Sequence, residues 1–109
     1  MGRRKDREKA AKRTANQPAW ERFSAEMQGL SSIEAAKSLA AKPPAQDTYT
    51  LQLYAHLQQF IDGGFTRPTG AEPKEGRLYR DFFRNISSEL PAAQRARAAE
   101  ELSAWLGEM

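Results

Sequence analysis

The stretch DTYTLQLYAHLQQFIDGG, residues 47–64, decides the fold class. Asp47 suits a helix N-cap, because its carboxylate can accept the orphan backbone N–H groups of a first turn. Tyr49, Leu53, Leu57, Phe60 and Ile61 then recur at helical spacing on one face, with Tyr54 beside it. Gly63-Gly64 supplies the stop, since glycine enters the left-handed conformation that ends helices at no steric cost.

The same period continues on both sides. From Gly76 onward, Leu78, Tyr79, Phe82, Phe83 and Ile86 mark a fourth helix. Pro91 opens a fifth, with Ala92, Ala99, Leu102, Trp105 and Leu106 on one side and Gly107 at its end. Residues 63–76 hold four glycines and two prolines, so they read as a loop. Loops of that length in a small domain are often functional or disordered. Toward the N-terminus, a first helix is expected from Pro18 to just before Gly29, with Trp20, Phe23 and Met27 in one stripe. Ser31 and Glu34 have capping-box spacing, with Leu30 placed as a hydrophobic staple. That second helix runs through Ala35, Ala36, Leu39 and Ala40 to Pro43-Pro44.

Composition agrees. There is no valine, and isoleucine occurs three times and threonine five. Strands are built largely from those types and from aromatics, whereas Ala, Leu, Gln, Glu, Lys and Arg favour helix. The chain is therefore expected to be all-α, a small bundle of about five short to medium helices with a basic, flexible N-terminal arm. Its 109 residues allow one domain. Residues 1–16 are assigned to the arm and residues 17–109 to a single helical domain.

Charge is unevenly spread. The whole chain carries +3, but the first 15 residues carry +5 and the remainder −2. The arm has no large apolar residue after Met1 and cannot bury itself. The chain's apolar stock is also thin: 18 of its 43 hydrophobic residues are alanine, and Leu, Ile and Phe together number 17. A body of this size buries only about 60–65% of its unfolded surface. The expectation is that too few large side chains are present to close the bundle alone, so that some of them meet a partner.

Several kinds of chemistry are excluded. With no cysteine there is no disulfide scaffold, iron–sulfur cluster, thiolate zinc site or cysteine nucleophile. With one histidine there is no multi-histidine metal site, and neither metal nor cofactor is expected. No apolar run approaches the roughly 18 residues a span requires, so no membrane is expected. Met1-Gly2 leads into charge rather than an apolar run, and Asp6 stands where myristoylation wants Ser or Thr. The expected compartment is the cytoplasm.

No catalytic residue is assigned. His56 lies on the shoulder of the 47–64 helix with no evident partner and reads as a surface or boundary side chain. Glu100 and Glu101 are adjacent on a helix and point apart. Asp81 with Arg77, and Glu101 with Arg97, read as surface i,i+4 pairs. The Gly64–Gly70 stretch fails as a phosphate-binding loop in spacing, and it lacks the essential lysine.

Two binding readings remain. The first is a protein-interaction module, a small regulator that sequesters another protein, for instance a transcription activator. Leu78, Tyr79, Phe82 and Phe83 wrap more than a third of one helix, which suggests contact on two sides. Leu78, Tyr79, Phe82, Phe83, Ile86 and Trp105 are thus the expected contact residues, facing a protein partner or a second copy of the chain. The competing view places all of them in one monomeric core. The second binding reading is a nucleic-acid-associated protein. In it, Arg3, Arg4, Lys5 and Arg7 of the arm contact phosphates together with Arg77, Arg80 and Arg84, spaced i, i+3 and i+7. Against it, Asp81 interrupts the stripe and the body is net acidic. Residues 33–57 match a helix–turn–helix poorly, because Lys42–Asp47 is long for its turn and contains two prolines.

Overall fold

In the computed structural model Asp47 caps as expected. Its Oδ2 accepts from the Thr50 backbone N–H at 3.0 Å and its Oδ1 from the Thr50 hydroxyl at 2.7 Å. The backbone is described over residues 2–108 and side chains over residues 16–108. The expected flexible arm, with Arg3, Arg4, Lys5 and Arg7, lies outside the described side chains. The five helices are α1 (Gly2–Gly29), α2 (Ile33–Ala41), α3 (Thr48–Asp62), α4 (Gly76–Ile86) and α5 (Ala92–Leu106). Short 3₁₀ turns at Pro73–Glu75 and Ser87–Glu89 precede and follow α4, and no strand occurs among the described residues. None of the described helices is long and apolar enough to cross a membrane.

The ends differ in detail from the sequence reading. Pro18 sits inside α1 rather than opening it, and the Gln17 amide donates to Glu21 Oε1 across it at 3.2 Å. The N-cap of α2 is Ser32, not Ser31, with its hydroxyl accepting from Ala35 N–H at 3.2 Å. A long-range contact accompanies that shift: Ile33 N–H donates to Glu89, 56 residues away in the 3₁₀ turn after α4, at 3.3 Å. Likewise the Asn85 amide of α4 donates to the carbonyls of Gln28 and Leu30, each at 3.1 Å, so α4 satisfies the exposed C-terminal end of α1.

α3 ends in a Schellman motif. Phe65 N–H bonds the Phe60 carbonyl at 2.7 Å and Gly64 N–H bonds that of Ile61 at 3.2 Å, with Gly64 left-handed at φ +77°. The motif returns the Phe65 ring edge-on to Phe60, centroids 5.5 Å apart. Phe65 is itself left-handed at φ 71°, a strained state for a bulky residue, and burial of its ring offsets that strain. The 63–76 segment is thus neither structureless nor outside the core: Phe65 and Ala71 both belong to it.

This loop corrects the expectation of an unsealed bundle. α1 packs on α3 and α4, α2 on α3, and α5 on α4 and the first 3₁₀ turn. Phe23, Tyr54, Phe60, Tyr79 and Phe82 are each at most 1% exposed. The loop supplies the missing wall, and small residues supply the missing closeness. A Cβ on Gly76 would stand 3.3 Å from the Trp105 ring, so glycine there lets α4 lie against α5. Phe60 also meets Tyr79 at 4.7 Å, and Tyr79 stacks on Trp105 at 5.2 Å, joining α3, α4 and α5 through one line of rings.

Close packing leaves the hydroxyls of Tyr54 and Tyr79 buried without a hydrogen-bond partner among the described residues. Burial pushes both phenols above their ordinary value, Tyr79 well above it, with Glu75 adding to the effect at Tyr79. The unfolded chain ionises these phenols near pH 10 while the native chain keeps them neutral. Stability is therefore full below about pH 10 and declines as pH rises above it. Tyr79→Phe should hold or raise the thermal midpoint at neutral pH and reduce the alkaline loss, both read from melts followed by circular dichroism. A drop of more than about 5 °C at neutral pH would show that the hydroxyl is bonded after all.

Candidate functional site

Five of the six expected contact residues are core residues of the single chain. Leu78, Tyr79, Phe82, Ile86 and Trp105 lie between 0% and 6% exposed and offer no surface to a partner. The physical reason is that α4 is flanked by α1 on one side and α5 on another, so its wide apolar arc is consumed within the chain. Phe83 alone is only partly buried, packed against the edge of the core.

Phe83 opens onto a groove of about 510 Å³ between α4 and α5. From α4 and the 3₁₀ turn that continues it the groove takes Arg80, Phe83, Arg84 and Ser87, spaced i, i+3, i+4 and i+7. From α5 it takes Ala92, Arg95, Ala96 and Ala99, with the same spacing. Each wall is therefore one ridge of a helix. Ala92, Ala96 and Ala99 are exposed, although the sequence reading set Ala92 and Ala99 beside Leu102 and Trp105. A period of 100° per residue carried the missing signal. Ala98, Leu102 and Trp105 fall together and are buried, whereas Ala92, Ala96 and Ala99 stand about 90–150° away.

The groove is cationic at its rim. Arg95 is held by a bond from its guanidinium to the Leu90 carbonyl at 3.1 Å, and Arg80 lies 3.5 Å from Asp81. Arg84 is exposed. Of the arginines expected to meet phosphates, Arg80 and Arg84 come together here, while Arg77 is exposed on α4 but does not line the groove. Asp81 pairs with Arg80 rather than with Arg77 as the helical spacing suggested.

His56 requires a second correction. It is buried, not a boundary side chain, and its Nδ1 donates to Glu75 Oε1 at 2.9 Å. Glu75 is equally buried, and its Oε2 accepts the Glu72 backbone N–H at 2.7 Å. The carboxylate that His56 lacked in sequence lies 19 residues on, delivered by the first 3₁₀ turn. Here both carboxylate oxygens are satisfied, as burial demands. The other ring nitrogen, Nε2, faces Gly70, where an added Cβ would come within 4.0 Å. The adjoining recess is about 40 Å³, room for about one water, and no serine or threonine lines it. Chemically this pair is a clamp between α3 and the loop. Close by, Lys74 sits 4.6 Å over the Trp20 ring, and Trp105 Nε1 donates to the Glu72 carbonyl at 3.3 Å, so α1 and α5 grip the same turn.

No protein-family model matches this chain, and no curated protein or solved structure is significantly similar to it.

The clamp is testable. Glu75→Ala leaves His56 unpaired in a buried place and the Glu72 N–H unpaired in a partly buried one, and should cost about 3 kcal/mol. Glu75→Gln keeps one acceptor and one donor in position and should cost about half as much. Urea midpoints at neutral pH would report both, and equal stability of all three proteins would show that the pair contributes nothing.

Proposed function

We propose that the chain is a cytoplasmic, non-catalytic regulatory protein that acts by holding another protein, in its most concrete form a transcription activator kept from its target. The supporting observation is the α4–α5 groove. In a fold whose other large rings are mostly sealed, Phe83 and three alanines are left in a concave strip between two helix ridges. Apolar material gathered in a concavity and rimmed by charge is the ordinary form of a recognition site. The absence of cysteine and the satisfied state of the His56–Glu75 pair are consistent with binding rather than turnover.

The runner-up is association with nucleic acid. What favours it is the exposure of Arg77 and Arg84 along α4, with Arg80 half-exposed between them. It requires no apolar floor, which the groove nevertheless has.

Ala96 separates these readings, because it is exposed and lines the groove. Ala96→Gln fills the strip while keeping a good helix former, so helicity and thermal midpoint should be unchanged. Peptides selected from a display library against the wild-type chain should bind Ala96→Gln about 10-fold more weakly. Selection that enriches nothing, or peptides indifferent to both Ala96→Gln and Phe83→Ala, would overturn the reading. Duplex DNA bound with a steep salt dependence would favour the runner-up.

A further inference from the structure

We infer that the occupant of the α4–α5 groove is an acidic amphipathic helix of the partner, its apolar ridge on Phe83 and the alanines and its carboxylates facing Arg84, Arg95 and Arg80. This rests on the groove being the contact surface and adds what kind of segment fills it.

The shape argues for a helix. Two adjacent helices that each present an i, i+3, i+4, i+7 ridge form the seat a third helix fills in a bundle. Ala92 to Ala99 spans about 10 Å, close to two helical turns, which matches the ridge of a short helix. Alanine at three of the four α5 positions allows an approach that larger side chains would block, and Phe83 is the one bulky surface for an anchor to meet.

The charge argues for acid. Three guanidinium groups and no carboxylate line the groove. The contrast is local, because residues 16–109 sum to −2. Asp81 already partly neutralises Arg80, so Arg84 and Arg95 carry most of the attraction. Arg95 is pre-positioned by Leu90, which lowers the entropy its pairing would cost.

A second copy of the chain fits worse. Among the described residues Leu51 is the one exposed large hydrophobic, at 38%. Among the described residues, another copy therefore offers no exposed ridge of large apolar side chains to lay in the groove. Nucleic acid fits worse also, since phosphates draw nothing from Phe83 and the alanines.

The test uses the full chain and a labelled peptide of about 16 residues, with Leu and Phe at i, i+3, i+4 and i+7 and Glu on the flanks. Two controls replace every Glu by Gln or by Lys. Fluorescence anisotropy should show the Glu peptide binding best and weakening with salt. Arg84→Glu should weaken it about 10-fold and at the same time improve binding of the Lys peptide. Arg84 is exposed, so this change leaves the fold intact; Arg95→Gln gives a second readout with a smaller loss. The outcomes divide cleanly. If Gln and Glu peptides bind alike and both lose affinity with Ala96→Gln, the groove binds protein but the acidic assignment fails. If no peptide binds and sedimentation shows a dimer abolished by Ala96→Gln, a second copy is the occupant and the inference is overturned. If duplex DNA displaces the Glu peptide and binds more tightly, nucleic acid is the occupant and the inference falls.

Discussion

Phe60 is the point through which the rest of the fold is tied. Its ring receives Phe65 from the loop, Tyr79 and Phe82 from α4, and through Tyr79 the indole of Trp105 on α5. A chain with so few large apolar residues cannot build separate layers. It closes instead by bringing half of its aromatic rings to one place and filling the remainder with alanine and glycine, whose lack of bulk shortens the distance between helices. The rings can converge only if the loop after α3 turns back at once, and the Schellman motif at Gly63–Phe65 makes it do so.

The loop then needs a second hold, because three turn-forming residues do not fix the path of a dozen. Glu75 provides it. One carboxylate takes the Glu72 N–H, which shapes the 3₁₀ turn, and the His56 imidazole, which binds that turn to α3. Burial makes the His56 bond matter most, since either His56 or Glu75 left alone would be a desolvated polar group. α4 begins where this turn ends, so its rotation about its own axis, and hence which residues point inward, depends on the clamp.

That rotation also sets the surface. With Leu78, Tyr79, Phe82 and Ile86 turned to the core, Phe83 and the arginines are turned to the outer edge where α5 leaves α4. α5 does the same with Ala98, Leu102 and Trp105 inward, and Ala92, Ala96 and Ala99 fall beside Phe83. Core packing and groove are thus two sides of one geometric choice.

The sequence by itself determined the all-α class, the cap at Asp47, the stop at Gly63-Gly64, the starts near Gly76 and Pro91, and the inward face of α3. These are local matters of period, capping and backbone freedom, read within a few turns of chain. Only tertiary structure decided the state of His56, because its partner lies 19 residues away across a loop without a period. It alone decided that Phe65 enters the core, since a left-handed phenylalanine is chosen by what its ring gains on burial and not by local preference. It decided as well which residues of α4 stay outside. A helix apolar over much of its circumference does not say which arc its neighbours will cover, and here they covered all but Phe83.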